Sequence, residues 1–198
     1  MRYDSEHKSE TRKRVLKEAA RDIREKGPGG VAVAGIMARA GLTHGGFYAH
    51  FKSKDELIAE AIGVMFEDAR GRLFRATGDL NSRAGFAAYI DSYLSPGHRD
   101  ARDRGCPLPS LSGDMARLEP LSRERFGQGV EAIMDRISGM LEASGAENPK
   151  TEATAVMSQM VGALALARAV ADPAQSERIL EIARADLKRR YNVGADDE

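Results

Sequence analysis

The sequence predicts an all-α protein, and three observations lead there. Aromatic residues are scarce, six Phe and five Tyr with no Trp in 198 residues, whereas strands draw on aromatic and β-branched side chains. Alanine, the best helix former, is abundant. Apolar residues recur at helical spacing in one segment after another, and no two-residue alternation reads as a strand. The layout expected is an N-terminal three-helix helix-turn-helix domain, residues 1–52, followed by a larger helical domain, residues 53–198, with about nine helices in all. A helix opening at Ser53 links the two.

Each element has a local reason. Ser9 to Lys26 reads as a helix, because Leu16, Ala19, Ala20 and Ile23 fall at i, i+3, i+4 and i+7. Arg14, Lys17, Arg21 and Arg24 are assigned to its opposite face, Ser9 to its cap, and Gly27-Pro28-Gly29-Gly30 to its end. The likeness of Gly27, Gly29 and Ala32 to a dinucleotide fingerprint is set aside, since that motif follows a strand and this one follows a charged helix. Val33 to Ala40 is a short helix. Gly41-Leu42-Thr43 is a tight turn in which glycine permits left-handed backbone and Leu42 points back to a small core. Thr43 caps the next segment, which runs to Phe51 and is anchored by Phe47 and Phe51. Ser53-Lys54-Asp55-Glu56 is a capping box opening a helix to about Ala76.

Further on, Ala84 to Leu94 is amphipathic. Ser95 to Pro109, with Pro96, Pro107, Pro109, Gly97 and Gly105, reads as a loop. Leu121 to Ala143 and Thr151 to Ala171 are helices separated by a turn from Ser144 to Pro149. Asp172-Pro173 begins the last helix, and Gly194 to Glu198 is expected to be a loose tail.

Composition removes several classes. Hydrophobic residues make up 42% and charged residues 30%, an ordinary globular balance. No uninterrupted apolar run of about 18 residues is present, so no membrane span is expected. The start, MRYDSEHKSETRKR, has no apolar stretch and does not read as a secretory leader. Cys106 is the only cysteine, which rules out an internal disulfide and suits a reducing cytoplasm. One thiol and four His without a CxxC or HExxH spacing point to no metal site, and nothing calls for a cofactor.

The formal charge is zero, from 30 basic and 30 acidic side chains. The first 55 residues nevertheless hold twelve basic and seven acidic groups, an excess of +5, and the remainder carries −5. A positive terminal quarter is either a solvated mixed-charge face or the footprint of a phosphate backbone. Helix, short helix, glycine turn and short helix is the helix-turn-helix layout, whose last element enters the major groove.

One segment carries more information than layout. Val31 to Leu57, VAVAGIMARAGLTHGGFYAHFKSKDEL, closely resembles the DNA-binding signature of TetR/AcrR-type transcriptional regulators. The matching elements are Ile36, Ala40-Gly41-Leu42-Thr43, a glycine at 45 or 46, Phe47-Tyr48, His50-Phe51, Ser53-Lys54 and Leu57, in order and without a gap. With the first helix the match spans about 45 residues; the rest agrees only in length and helical layout. Met37 stands where family members usually carry Ala, and Val31-Ala32-Val33 replaces the usual capping Thr. The resemblance implies a cytoplasmic homodimer that binds a palindromic DNA operator, has a helical ligand-binding and dimerisation domain, and is released from DNA by a small-molecule effector, usually as a repressor.

It also implies residue roles, each with a plainer alternative. Thr43 and His44 open the recognition segment, and His44 either donates to a base edge or phosphate or is simply solvated. Gly45 and Gly46 each cost helix stability of about 1 kcal/mol against Ala; either they admit close approach of DNA or they leave the segment flexible. Tyr48 and Lys54 match the family's phosphate contacts, and a helix N-terminus at Lys54 helps attract phosphate. His50 bonds phosphate or its own core, and Arg39 and Lys52 add electrostatic attraction. Ligand-binding candidates are Phe86, Tyr89, Tyr93, Leu111, Met115, Phe126, Met134, Met157 and Met160, against the alternative that they are ordinary core. Dimer-interface candidates are Gly162, Ala163, Leu180, Leu187 and Tyr191, against packing within one subunit. Cys106, between arginines and a helix start, suggests an alternative, a thiol-based electrophile or redox sensor, for arginines lower a thiol pKa; the plainer reading is an inert small residue.

Two other classes fit less well. An enzyme would need a nucleophile elbow, a phosphate loop or an acid–base constellation, and Asp91, Asp114 and Glu119 are scattered. An adaptor that has lost DNA binding would not need the +5 end.

Overall fold

The computed structural model describes residues 2–77 and 82–194, which are helical with no strand among them. Nine α-helices succeed one another: α1 Arg2–Lys26, α2 Val33–Arg39, α3 Lys54–Thr77, α4 Arg83–Tyr93, α5 Pro96–Asp100, α6 Leu108–Leu111, α7 Pro120–Ala143, α8 Pro149–Ala169 and α9 Pro173–Arg190. Four short 3-10 helices, Pro28–Gly30, His44–Ala49, Arg102–Arg104 and Met115–Arg117, join them. Among the described residues no helix is long and apolar enough to cross a membrane.

α1 starts seven residues earlier than its apolar stripe predicts, so Ser9 lies inside the helix instead of capping it. The added turns are polar and exposed from Glu6 to Glu10, and apolar periodicity cannot register residues that bury nothing. Burial begins at Thr11 and continues through Val15, Leu16, Ala19, Ala20 and Ile23. Arg24 is not on the outer face. It lies four residues after Ala20, on the buried side, and donates to the Met65 carbonyl at 3.3 Å and the Asp68 carboxylate at 3.1 Å.

α2 buries Ile36 and Met37 completely, so the unusual methionine is a core side chain. Its C-terminus closes through Leu42 N–H to the Met37 carbonyl at 2.9 Å and Gly41 N–H to the Ala38 carbonyl at 3.0 Å, with Gly41 at φ +75°. That is a Schellman closure, and it requires left-handed backbone. Leu42 packs against the core as expected.

α3 is the central helix, packed on α1, α4 and α7. Its start is capped by Ser53 as expected, Glu56 N–H donating to Ser53 Oγ at 3.1 Å, while the return bond of the Glu56 carboxylate is to Lys52 N–H, one residue before the cap. Leu57, Ile58, Ala61, Ile62, Met65 and Phe66 are buried along it. α7 crosses α3 at Gly129, where an added Cβ would lie 2.3 Å from the Phe66 ring. The helix-propensity cost of that glycine, about 1 kcal/mol, is offset by the approach it allows.

The expected loop from Ser95 to Pro109 contains α5, the 3-10 helix Arg102–Arg104 and the start of α6. Its prolines begin helices, because the first turn leaves its N–H groups unpaired and loses nothing to proline. Ser95 Oγ caps α5 by accepting from His98 N–H at 3.1 Å. α7, α8 and α9 also begin on prolines, within two residues of the expected starts. Asp172 caps α9 through Ala174 N–H at 3.0 Å, and Lys188 pairs with Asp91 at 2.8 Å to tie α9 to α4. Beyond Gly194 the expected loose tail lies outside the described residues.

Candidate functional site

The segment after Gly41 is a 3-10 helix, His44–Ala49, and not an α-helix. Two consecutive glycines weaken α-helical propensity there. Thr43 stands at its N-cap in extended conformation, but its hydroxyl accepts no capping bond; Gly46 N–H bonds the Thr43 carbonyl at 3.1 Å instead. Phe47 and Phe51 are buried with ring centroids 5.6 Å apart. They bolt the segment to the core and leave the rest outside. Thr43, His44, Gly45, Lys52 and Lys54 are exposed, and Tyr48 is 74% exposed, more than any other large apolar or aromatic side chain among the described residues. A Cβ at Gly45 would meet nothing within 4 Å, and one at Gly46 only ordinary contacts at 3.8 Å.

Two of the expected contact residues sit differently. Arg39 is held at 2.9 Å from Glu18 and 2.7 Å from Asp22, joining α2 to α1. Burial pushes the Asp22 carboxyl up, yet hydrogen bonds from Arg39 and Lys26 outweigh it and hold it below its ordinary value. His50 is half-buried, and its Nδ1 is enclosed without a hydrogen-bond partner. Burial, with Lys8 and Arg12 near, holds its pKa below the usual value. Arg12 lies 4.3 Å over the Phe51 ring and pairs with Glu60, so that α1, the recognition segment and α3 meet in one cluster.

A second feature lies where α3, α4, α5 and α7 converge, a cavity of about 210 Å³. Tyr89, Tyr93, Cys106 and Ile133 line it and are all buried. Arg70, Arg72, Arg104 and His98 line it as well. His98 Nδ1 bonds the Tyr93 carbonyl at 2.8 Å, and its Nε2 accepts from Cys106 N–H at 3.0 Å. These two bonds assign a neutral ring protonated on Nδ1, and burial pushes its pKa down to about 4. The Tyr93 hydroxyl is buried without a hydrogen-bond partner of good geometry, beside the Cys106 thiol. Arg168, from α8, donates to the His98 carbonyl at 2.8 Å and the Arg99 carbonyl at 3.0 Å and so fastens α5 to α8.

Of the nine ligand-binding candidates, only Tyr89 and Tyr93 line this cavity. Phe86, Leu111, Met115, Met157 and Met160 are buried core. Phe126 packs on Phe66 at 5.5 Å, and Met134 packs against the core. A methionine or aromatic at helical spacing has the same pattern in a packed core as in a lining. Arg70, Arg72 and His98 carried no sequence signal, since helix periodicity does not report which helix ends meet.

Burial also pushes the Cys106 thiol up, despite the pull of the Leu108 backbone, Tyr93, Arg168 and Arg72. The neighbouring arginines do not produce the low pKa that the sequence suggests; the thiol is 7% exposed, and desolvation of the thiolate dominates. The dimer candidates Ala163, Leu180 and Leu187 are buried within the subunit, and Tyr191 packs on Phe86 at 5.5 Å. Gly162 is half-buried with open space beside it. The apolar side chains left outside on α8 and α9 are Leu166, 59% exposed, and Ile182, 70% exposed.

Known proteins agree with this architecture. Residues 15–61 match the family described as bacterial regulatory proteins, tetR family. The chain is 27% identical over 167 residues to an uncharacterised HTH-type transcriptional regulator of Mycobacterium tuberculosis, Rv0196, covering 79% of this chain and 84% of that one. A TetR transcriptional regulator from Chloroflexus aurantiacus superimposes with a TM-score of 0.78 at 25% identity, over 94% of this chain and 96% of that one. Reduced NemR of Escherichia coli shares the fold at a TM-score of 0.78 and 22% identity, over 91% and 96% of the two chains. A helix-turn-helix anchored by Phe47 and Phe51 and the match over residues 15–61 identify the N-terminal region as a DNA-binding domain of the tetR type, and the all-helical body resembles that of TetR regulators.

Proposed function

We propose that the protein is a ligand-responsive repressor that binds a palindromic operator as a homodimer and is released by a small molecule. The observation that carries the reading is the recognition segment: Thr43, His44, Gly45, Tyr48, Lys52 and Lys54 are exposed around two buried phenylalanines. Tyr48 is 74% exposed and meets Phe47 edge to face at 5.3 Å, which leaves its hydroxyl outward where it suits a phosphate oxygen. Gly45 and Gly46 leave the backbone open to close approach, whereas the enclosed Nδ1 of His50 suits a role inside the domain. Arg39, already engaged by Glu18 and Asp22, contributes field more than contact.

The division proposed is residues 1–52 for DNA and 53–198 for effector and partner, with α3 belonging to both sides of the boundary. The dimer face proposed is the outer side of α8 and α9, where Leu166 and Ile182 are exposed and Gly162 leaves room for a neighbouring helix. Two recognition elements must then lie about 34–36 Å apart to read one turn of DNA. An effector acts by preferring a different spacing, which lowers the DNA-competent population by its differential affinity.

The test is selection of DNA from a random pool by the purified protein, followed by anisotropy titrations at several salt concentrations. A palindrome should emerge, bound with an affinity that falls steeply with salt. Absence of any preference over random DNA at moderate salt ends the reading. The thiol-sensing alternative draws less support, since Cys106 is buried and its pKa is raised, and the thiolate is the reactive form.

A further inference from the structure

We propose that the cavity beside Cys106 binds a monocyclic aromatic acid, with the ring on its buried floor and the carboxylate among Arg70, Arg72 and Arg104. The proposal rests on the reading of the protein as ligand-responsive, and it names the cavity that takes the effector and the chemistry that fills it.

Three observations converge on that class. The first is size. A cavity of about 150 Å³ is enough to hold benzene, so about 210 Å³ admits one ring with a small substituent. It falls below the range of roughly 300–1,000 Å³ that holds drug-sized molecules. The second is the floor. Tyr89, Tyr93 and Ile133 are each 5% exposed, and the two tyrosine rings meet edge to face at 5.7 Å. A flat apolar body extends that aromatic packing.

The third is charge. Among the described residues the lining contains three arginines and no carboxylate. Arg70 and Arg104 are exposed and Arg72 is half-buried, so the cations form the rim above the floor. Arg104 pairs with Asp103 at 3.5 Å and Arg72 donates to the Gly105 carbonyl at 3.3 Å. Asp103 offsets part of the Arg104 charge, and among the described residues Arg70 pairs with no carboxylate. Guanidinium groups bind carboxylates through paired N–H bonds, which fixes orientation as well as attracting charge. His98 does not compete for the anion, because both its ring nitrogens are engaged by Tyr93 and Cys106. The Tyr93 hydroxyl is buried at the floor beside the Cys106 thiol, without a hydrogen-bond partner of good geometry, and a ring hydroxyl of the ligand would supply one.

The experiment is isothermal titration calorimetry of the full chain with benzoate, 2-hydroxybenzoate, benzamide and 2-naphthoate. Benzoate and 2-hydroxybenzoate should bind at micromolar to low-millimolar concentration, and benzamide at least about tenfold more weakly, as expected for loss of a charged hydrogen bond. The second ring of 2-naphthoate should abolish binding. The double variant Arg70→Gln/Arg104→Gln, at two exposed positions, should weaken benzoate by at least about tenfold with unchanged thermal stability. Tyr93→Phe, which keeps the ring, should weaken 2-hydroxybenzoate severalfold.

Equal affinity for benzamide and benzoate, indifference to the double variant, or no heat from either acid at millimolar concentration overturns the aromatic-acid assignment. Anisotropy with the selected operator separates the two readings. Acid binding that leaves operator affinity unchanged sustains the site and overturns its effector role. Operator binding intact while both acids fail sustains the regulator and overturns the ligand class.

Discussion

At Gly129 a methyl group would fall 2.3 Å from the Phe66 ring, whereas at Gly45 it would meet nothing within 4 Å. Both glycines weaken the helical stretch they occupy. The first is explained entirely inside the molecule, by the approach of α7 to α3. The second has no internal explanation, and the space beside it faces solvent near the exposed Tyr48. A residue that its own fold does not require points outward, to whatever comes to fill that space. The same contrast separates the two polar regions. Around the cavity His98 and Arg168 are bonded to the surrounding backbone, while Thr43, His44, Tyr48 and Lys54 face solvent.

Substitutions can break this contrast, and they rank by expected effect. Gly129→Leu forces a side chain into the Phe66 ring and should lower stability by about 3 kcal/mol in urea unfolding, with Gly129→Ala costing less. If Gly129→Leu unfolds at the native midpoint, the seam is not as tight as described.

His98 comes next. Its folded-state pKa lies below the free value of 6.5, near 4, so the neutral ring is the stabilising form. The contribution is complete above about pH 6.5 and is lost as pH falls towards 4, a span that corresponds to roughly 3 kcal/mol at most. His98→Gln should cost about 1–3 kcal/mol at neutral pH. It should also flatten the fall of Tm between pH 6.5 and 4; an unaltered slope would show that other groups produce it.

Gly45→Ala should reverse the pattern of Gly129. Thermal stability should hold or rise by up to about 1 kcal/mol, while operator affinity drops about tenfold, the equivalent of one lost contact of about 1.4 kcal/mol. Loss of stability with unchanged DNA binding would place the reason for this glycine inside the fold. Lys54→Gln should weaken operator binding severalfold and reduce the salt slope by about one. Smallest of all, Cys106→Ala should change operator affinity less than twofold, within the range of about ±0.5 kcal/mol left to sites outside the interface.

The DNA-binding end was legible because its constraints are local. Gly41 must be left-handed, Phe47 and Phe51 must share a side, and Ser53 must face Glu56, all within sixteen residues. Arg24 was misread because an outward charge and a buried ion pair look the same until Asp68 of α3 arrives beside it. The cavity was illegible for the same kind of reason, since Arg70 and Arg72 of α3 and His98 of α5 meet only in three dimensions. Periodicity likewise found apolar stripes on α8 and α9 but not which side chains stay outside. Leu180 and Leu187 turn inward, and Leu166 and Ile182 remain exposed.

α3 runs unbroken from Lys54 to Thr77, so one rigid rod touches both ends of the molecule. The rise from Lys54 to Arg72 is about 27 Å at 1.5 Å per residue. With that arm, a tilt of about 5° at the cavity displaces Lys54 by a little over 2 Å. A motion too small to disturb the buried floor is magnified at the far end of the rod, which makes the helix a mechanical amplifier whose gain is set by its length.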